Sequence, residues 1–213
     1  MKKWMIALLV MLCVESMAQN QEGIRVACVG NSITQGPGRD NINSYPLMMQ
    51  KLLGDAYWVK NFGVSGSTLL KKGDLPYWDQ AQYKEALEFK PDILIVKLGT
   101  NDSKPQNWKF KEEFLENYIE LIESIKGEMS ETGQVFICLP VPVFEDNWGI
   151  TERILVKEMR PLLKKVARST GATIIDLHKP FAKKAGLFPD GVHPNAEGNA
   201  QMAELIATII RGE

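Results

Sequence analysis

The 213-residue chain carries 25 basic and 26 acidic side chains, a formal net charge of −1, and 45% hydrophobic residues. So even a balance gives no electrostatic basis for binding nucleic acid or an anionic membrane, and the length suits one domain with a full core. With only three cysteines, at spacings that match no metal motif, the fold must be held by its core and not by staples.

Lys2 and Lys3 precede an apolar stretch from Trp4 to Val14 that is too short to span a membrane. Ser16-Met17-Ala18 then supplies the small residues of a cleavage site. Residues 1–18 are therefore expected to be a secretory signal peptide and 19–213 a single domain, periplasmic or secreted. Cys13 lacks the small preceding residue that a lipidation site wants, so lipid anchoring is not expected. No later apolar segment is long enough for stable membrane insertion.

Beyond that leader, strand-like and helix-like runs alternate. Ile24–Gly30, Tyr57–Phe62, Asp92–Gly99, Gln134–Leu139 and Ala172–Asp176 are short and rich in Val and Ile, the near-continuous apolarity of strands buried on both faces. Cys28 and Cys138 fall inside such runs and read as small buried hydrophobes. Helical patterns cover Tyr45–Leu53 with Ser44 as cap, Phe110–Met129, Ile150–Ser169 and Ala196–Ile210, with Gly127, Gly171 and Gly212 near helix ends. The alternation predicts an α/β protein with three layers, α/β/α, around a five-stranded, mostly parallel, flavodoxin-like sheet.

Ligands in such sheets bind beyond the carboxyl ends of the strands. The segments that follow the runs are "GNSITQG", "NFGVSGS", "GTNDSKP" and "PVPVFEDNW", and after the last strand "DLH" leads to "FPDGVHPNAEG". These segments hold both histidines of the chain. Ser32 needs a base to become a nucleophile, and His193 can supply it. Asp190, three residues earlier in a loop bounded by Pro and Gly, can reach the imidazole Nδ1 and leave Nε2 for the serine. His178 has Asp176 nearby but no loop to position it, so it is expected to be structural or at the rim. The backbone N–H groups of Ser32 and Gly63 and the side-chain amide of Asn101 are candidate oxyanion donors.

Gly30-Asn31-Ser32-Ile33-Thr34, Gly63 in "NFGVSG", Gly99-Thr100-Asn101-Asp102 and Asp190-Gly191-Val192-His193-Pro194 resemble, in order and spacing, the four motif blocks of the SGNH hydrolases, or GDSL-type esterases. The resemblance covers nearly all of the chain after the leader. It implies Ser32 as nucleophile, His193 as base, Asp190 as its orienter, an oxyanion hole of Ser32, Gly63 and Asn101, and no metal or organic cofactor. The chain departs from the family at Asn31, where Asp is usual, which keeps a loop hydrogen bond but removes a charge. Ser65 in "GVSGS" imitates a nucleophile elbow, but position 67 is Ser where that motif wants Gly.

Tyr77, Trp78, Trp108, Phe144 and Trp148 follow strands and are candidates for the substrate rim, with Lys104 and Asn107 as polar groups to hold hydroxyls. A polar rim with no apolar lid favours short-chain, acetyl esters of a carbohydrate; the partner expected is a small-molecule or oligosaccharide ester. Rival expectations are a thioesterase or lysophospholipase of the same family, and a non-catalytic carbohydrate-binding module. Lys97 interrupts the third strand, where an unpaired charge is expensive, and is expected to form a buried ion pair with a carboxylate such as Asp176.

Overall fold

The computed structural model describes residues 23–212, so the leader expected at 1–18 lies outside the described residues. Five strands, β1 (Ile24–Gly30), β2 (Tyr57–Gly63), β3 (Ile93–Lys97), β4 (Gln134–Leu139) and β5 (Thr173–Asp176), form one sheet in the order β2-β1-β3-β4-β5. All four pairings are parallel, as crossover through helices requires. This is the expected flavodoxin-like order. No helix among the described residues is long and apolar enough to cross a membrane.

The alternation of side chains along each strand sends residues to two cores. Ala27, Val29, Leu94, Val96 and Ile137 face one side, where they meet helices α2 (Ala81–Phe89), α3 (Phe114–Lys126) and α4 (Arg160–Thr170). Val26, Cys28, Ile93, Ile95, Phe136 and Cys138 face the other, against α1 (Tyr45–Leu53) and α5 (Ala196–Arg211). Both cysteines are buried and unpaired, and burial pushes both thiols well above their ordinary value.

Three helices differ from expectation in instructive ways. Ser44 occupies the cap position of α1, but its side chain makes no capping bond and its Oγ has no partner. Ser44 instead packs against Gly36, where an added Cβ would stand 2.7 Å from that of Ser44. The pattern over Ile150–Ser169 is interrupted: a turn at Glu152–Ile154 leads into a π-helical stretch, Leu155–Met159, before α4 begins. Pro161 has no N–H to return to the helix, and the widened turn just before it makes room for its ring. Helix α2 has no counterpart in the expected elements; its apolar face is only Ala86 and Phe89 with Tyr83 and Leu87 beside them, too sparse to stand out.

The buried charge on β3 is also different. Lys97 is 2% exposed and its Nζ has no hydrogen-bond partner. The expected pairing with Asp176 does not form, since Asp176 bonds Arg160 at 3.3 Å and accepts the N–H groups of His178 and Lys179. Geometry forbids it: Ile175 shares the second core with Cys138, so Asp176, one residue on, points to the opposite face. Burial pulls the Lys97 ammonium down to about 8 from 10.5. The unfolded chain therefore holds this proton more tightly, and the folded protein gains stability as pH rises from about 8 towards 10.5. Lys97→Met should raise stability by about 1–3 kcal/mol at neutral pH. Its advantage over the wild type should shrink across that alkaline window in urea titrations, and a pH-independent difference would show that the lysine carries no such penalty.

Candidate active site

Strand β1 ends in Gly30 because the chain must fold back over its own end. A Cβ there would lie 2.7 Å from the Cβ of Thr34, in the helical turn Ser32–Gln35. Asn31 caps that turn, its Oδ1 accepting the Ile33 N–H at 3.3 Å, while its own Nδ2 is buried without a partner. The turn lifts Ser32 clear of the sheet. At the other end of the sequence, the loop before α5 closes on itself through Asp190, whose Oδ1 accepts the N–H groups of Val192 at 2.9 Å and His193 at 2.7 Å. Its Oδ2 faces His193 Nδ1 at 2.8 Å, and His193 Nε2 faces Ser32 Oγ at 2.8 Å.

Electrostatics fit this chain of contacts. Desolvation pulls the Asp190 carboxyl up, but the two backbone N–H groups and the imidazole outweigh it and leave it below the usual carboxylate range. An ionised Asp190 at Nδ1 selects the tautomer with the proton on Nδ1, and Nε2 is then the acceptor that Ser32 needs. A cavity of about 300 Å³ opens beside the pair, walled by Ile33, Gly36, Pro37, Ser65, Pro194 and Asn199. Ser65 is exposed on that wall and its N–H goes to Gln35 Oε1. Neither imidazole is left to serve it, since His193 meets Ser32 and His178 Nε2 meets Glu152 Oε1 at 2.5 Å.

The three expected oxyanion donors are not equally open. Gly63 packs its Cα against the serine turn so closely that a Cβ would stand 2.6 Å from Gln35 Cα. Its N–H, however, is given to Asn61 Oδ1 at 2.9 Å, a bond that an oxyanion would have to share or replace. Asn101 is 4% exposed and donates one Nδ2 proton to the Ser67 carbonyl at 3.0 Å, which leaves the second. Asn61 was not among the expected site residues; its position in β2, two before the motif glycine, is the only trace of it in the sequence. Asp102 is another such residue. It is fully buried, its carboxylate takes the N–H groups of Leu69 at 3.0 Å and Leu70 at 2.7 Å, and burial raises it to about 6.

The rim is mostly different from expectation. Trp108 is buried, edge-on to Phe114, with its Nε1 bonded to Glu158, so it belongs to the core. Tyr77 is fully buried and gives its hydroxyl to the Phe62 carbonyl. Trp78 packs on Tyr83 beneath Lys71 and bonds the Leu69 carbonyl, and Phe144 packs on Phe188. Asn107 is spent on Asp74 and the Asn101 carbonyl. Alternation and loop position cannot tell an aromatic that faces a ligand from one that packs, and here most pack. Trp148 alone of the five aromatics touches the site, its ring 5.3 Å from that of His193. Lys104, half-buried, lies against Gly149, the residue after Trp148. His178, through Glu152, ties the loop after β4 to the end of β5, because Glu152 Oε2 accepts the Val143 N–H at 2.7 Å.

A parallel sheet that brings a serine, an imidazole and a carboxylate into line beyond its carboxyl edge has the groups that serine-dependent acyl transfer needs. Comparison narrows the class. The model of the GDSL-like Lipase/Acylhydrolase family matches residues 28–201, and the chain belongs to that family. An acetylxylan esterase of Xylanibacter ruminicola is 40% identical over 91% of this chain, which spans 44% of that relative's length. Among solved structures, an acetyl xylan esterase aligns with a TM-score of 0.70 at 21% identity, over 88% of this chain and all of its own. A carbohydrate acetylesterase from Sinorhizobium meliloti aligns at 0.67 and 20% identity, over 88% and 98%.

Gly63→Ala tests how the site is positioned. The added methyl meets backbone of the serine turn, so that turn must move. Turnover should fall about 100-fold with the secondary structure intact by circular dichroism; undiminished turnover would mean that the approach of Gly63 to the turn does not set the position of Ser32.

Proposed function

We propose that the chain is an exported esterase that removes acetyl groups from carbohydrate, with Ser32, His193 and Asp190 as its catalytic residues. The observation that carries this reading is the unbroken line from Asp190 Oδ2 through His193 to Ser32 Oγ, with 2.8 Å at each contact. His193 Nε2 takes the Ser32 proton as Oγ attacks the ester carbonyl. The resulting oxyanion is held by the Ser32 N–H and the free Nδ2 proton of Asn101, with the Gly63 N–H joining as it leaves Asn61. The carbonyl re-forms, the alcohol departs with the proton from His193, and water repeats the steps to release acetate and restore Ser32. No step calls for a metal or an organic cofactor.

The acyl preference rests on the cavity. Its walls mix two serines, an asparagine and the imidazole with an isoleucine, two prolines and a glycine, and its volume of about 300 Å³ suits a short acyl group. This favours acetyl over the fatty acyl groups of a lysophospholipase. The carbohydrate part of the proposal is supported by the acetylxylan esterase that is 40% identical to this chain. Export is supported by the leader-like residues 1–18.

Hydrolysis of p-nitrophenyl acetate and octanoate, and acetate release from acetylated xylan, test the proposal. Acetate esters should be turned over and the octanoate poorly; Ser32→Ala should abolish both activities while Ser65→Ala keeps them. Octanoate as the better substrate would replace the reading with a lipid esterase, and activity surviving in Ser32→Ala would remove the nucleophile. In Asp190→Asn the amide can no longer select the tautomer, so kcat should drop by about 10⁴-fold with KM little changed.

A further inference from the structure

We propose that Trp148 is the platform on which the sugar ring of the leaving alcohol rests, so that this residue sets the enzyme's preference for a carbohydrate over other acetyl esters. The proposal rests on the function above and adds to it the residue that recognises the alcohol.

Trp148 is placed at a price that folding does not explain. Its φ is +50°, a left-handed conformation that strains a residue with a Cβ and that glycine or asparagine would adopt more readily. The side chain is also 54% exposed, the most exposed large hydrophobic residue described. Packing returns little for that strain, with more than half of the residue facing solvent. Such sites persist where a ligand supplies the missing contact.

The loop that carries it is built to hold the ring beside the imidazole. Asn147 gives its Nδ2 to the Asp190 carbonyl at 3.3 Å and accepts the Trp148 N–H on Oδ1 at 3.0 Å, so one side chain ties the tryptophan to the loop of the base. The Phe144 N–H reaches the Gly191 carbonyl at 2.9 Å, and Gly191 has a φ of +79° with no room for a Cβ against Glu145. On its other flank Gly149, at φ +79°, lies on Pro105. The indole is tilted 58° to the imidazole, not stacked flat upon it. More than half of the residue stays open to solvent, beside the imidazole that must hand a proton to the leaving oxygen.

That adjacency decides which half of the ester Trp148 meets. His193 Nε2 protonates the alcohol as it leaves, so the alcohol passes along the imidazole, while the acyl carbon stays on Ser32. A pyranose presents a face of C–H groups that suits an indole, whose broad apolar ring is at home where one side is wet.

The test compares acetylated xylo-oligosaccharide with glycerol triacetate, an acetyl ester without a ring. In Trp148→Ala, kcat/KM on the sugar ester should fall about tenfold or more, mainly through KM, and stay within about twofold on glycerol triacetate. Trp148→Tyr and Trp148→Phe should restore most of the loss. Trp148→Gly should lose the sugar preference while melting no lower than the wild type, because the strain is gone. Equal losses on both esters would make Trp148 a mere support for His193, and no loss on either would remove it from recognition; both results overturn the proposal. If the wild type turned over neither ester, the hydrolase reading itself would fail. Calorimetric titration of Ser32→Ala with the acetylated xylo-oligosaccharide, beside the same protein carrying Trp148→Ala, then decides separately: weaker binding in the double variant supports the platform and equal affinity sinks it.

Discussion

The whole site depends on one close approach, that of the serine turn to the carboxyl edge of the sheet. Gly30 and Gly63 stand side by side in the register of β1 and β2, and both face the turn Ser32–Gln35 where a methyl group would have no space. Two missing side chains on adjacent strands make a flat landing for that turn. Everything else is arranged around where it lands. Thr34 fills the space over Gly30 and reaches the Tyr45 hydroxyl at 3.3 Å, which links the turn to α1. Gln35 receives the N–H of Ser65 from the loop after β2, so the same turn fixes one wall of the cavity.

From this landing the remaining parts arrive by separate routes. Ser32 and His193 lie 161 residues apart, and their contact closes only when the last helix has docked on α1 across the second core. Gly63 and Asn101 come from the ends of β2 and β3, and the loop after β4 adds Trp148. The site is therefore a property of the complete sheet, and no contiguous stretch of the chain contains it. The buried polar groups beneath it follow the same logic. Lys97 is next to Gly30 in the ladder and shares its face with Cys28 and Cys138, so the edge that receives the serine turn is backed by an unpaired cation within an otherwise apolar core. An isolated buried charge is tolerated where the rest of the fold is secure enough to carry it.

How much of this was legible depended on whether the information was local. The strands were, because burial on both faces writes itself as continuous Val and Ile, and the expected limits of β1 and β4 coincide with the observed ones. The line of Ser32, His193 and Asp190 was also legible, since the types, the loops and the spacing all constrain each other. What was lost concerns partners far away in sequence. Lys97 was assigned an acidic partner by the rule that buried charges pair, but the pleat sends Asp176 to the wrong face. Trp108 and Asn107 sit in a loop at the ligand edge, yet their side chains turn inward to Glu158 and Asp74. That Gly63 gives its N–H to Asn61 could not be read at all, because it is a matter of one side-chain rotamer.

The bonds between the loop 144–150 and the loop 190–193 carry a consequence for how enzymes of this build diversify. One loop bears the exposed aromatic, the other bears His193, and they share the contacts of Asn147 with Asp190 and of Phe144 with Gly191. A loop that hung freely from the scaffold could drift in sequence without disturbing its neighbour. This one cannot, because its backbone is part of what holds the imidazole. New loops grafted after β4 must bring a matching segment before the last helix, and lineages that change what they bind should be found to have changed both segments together.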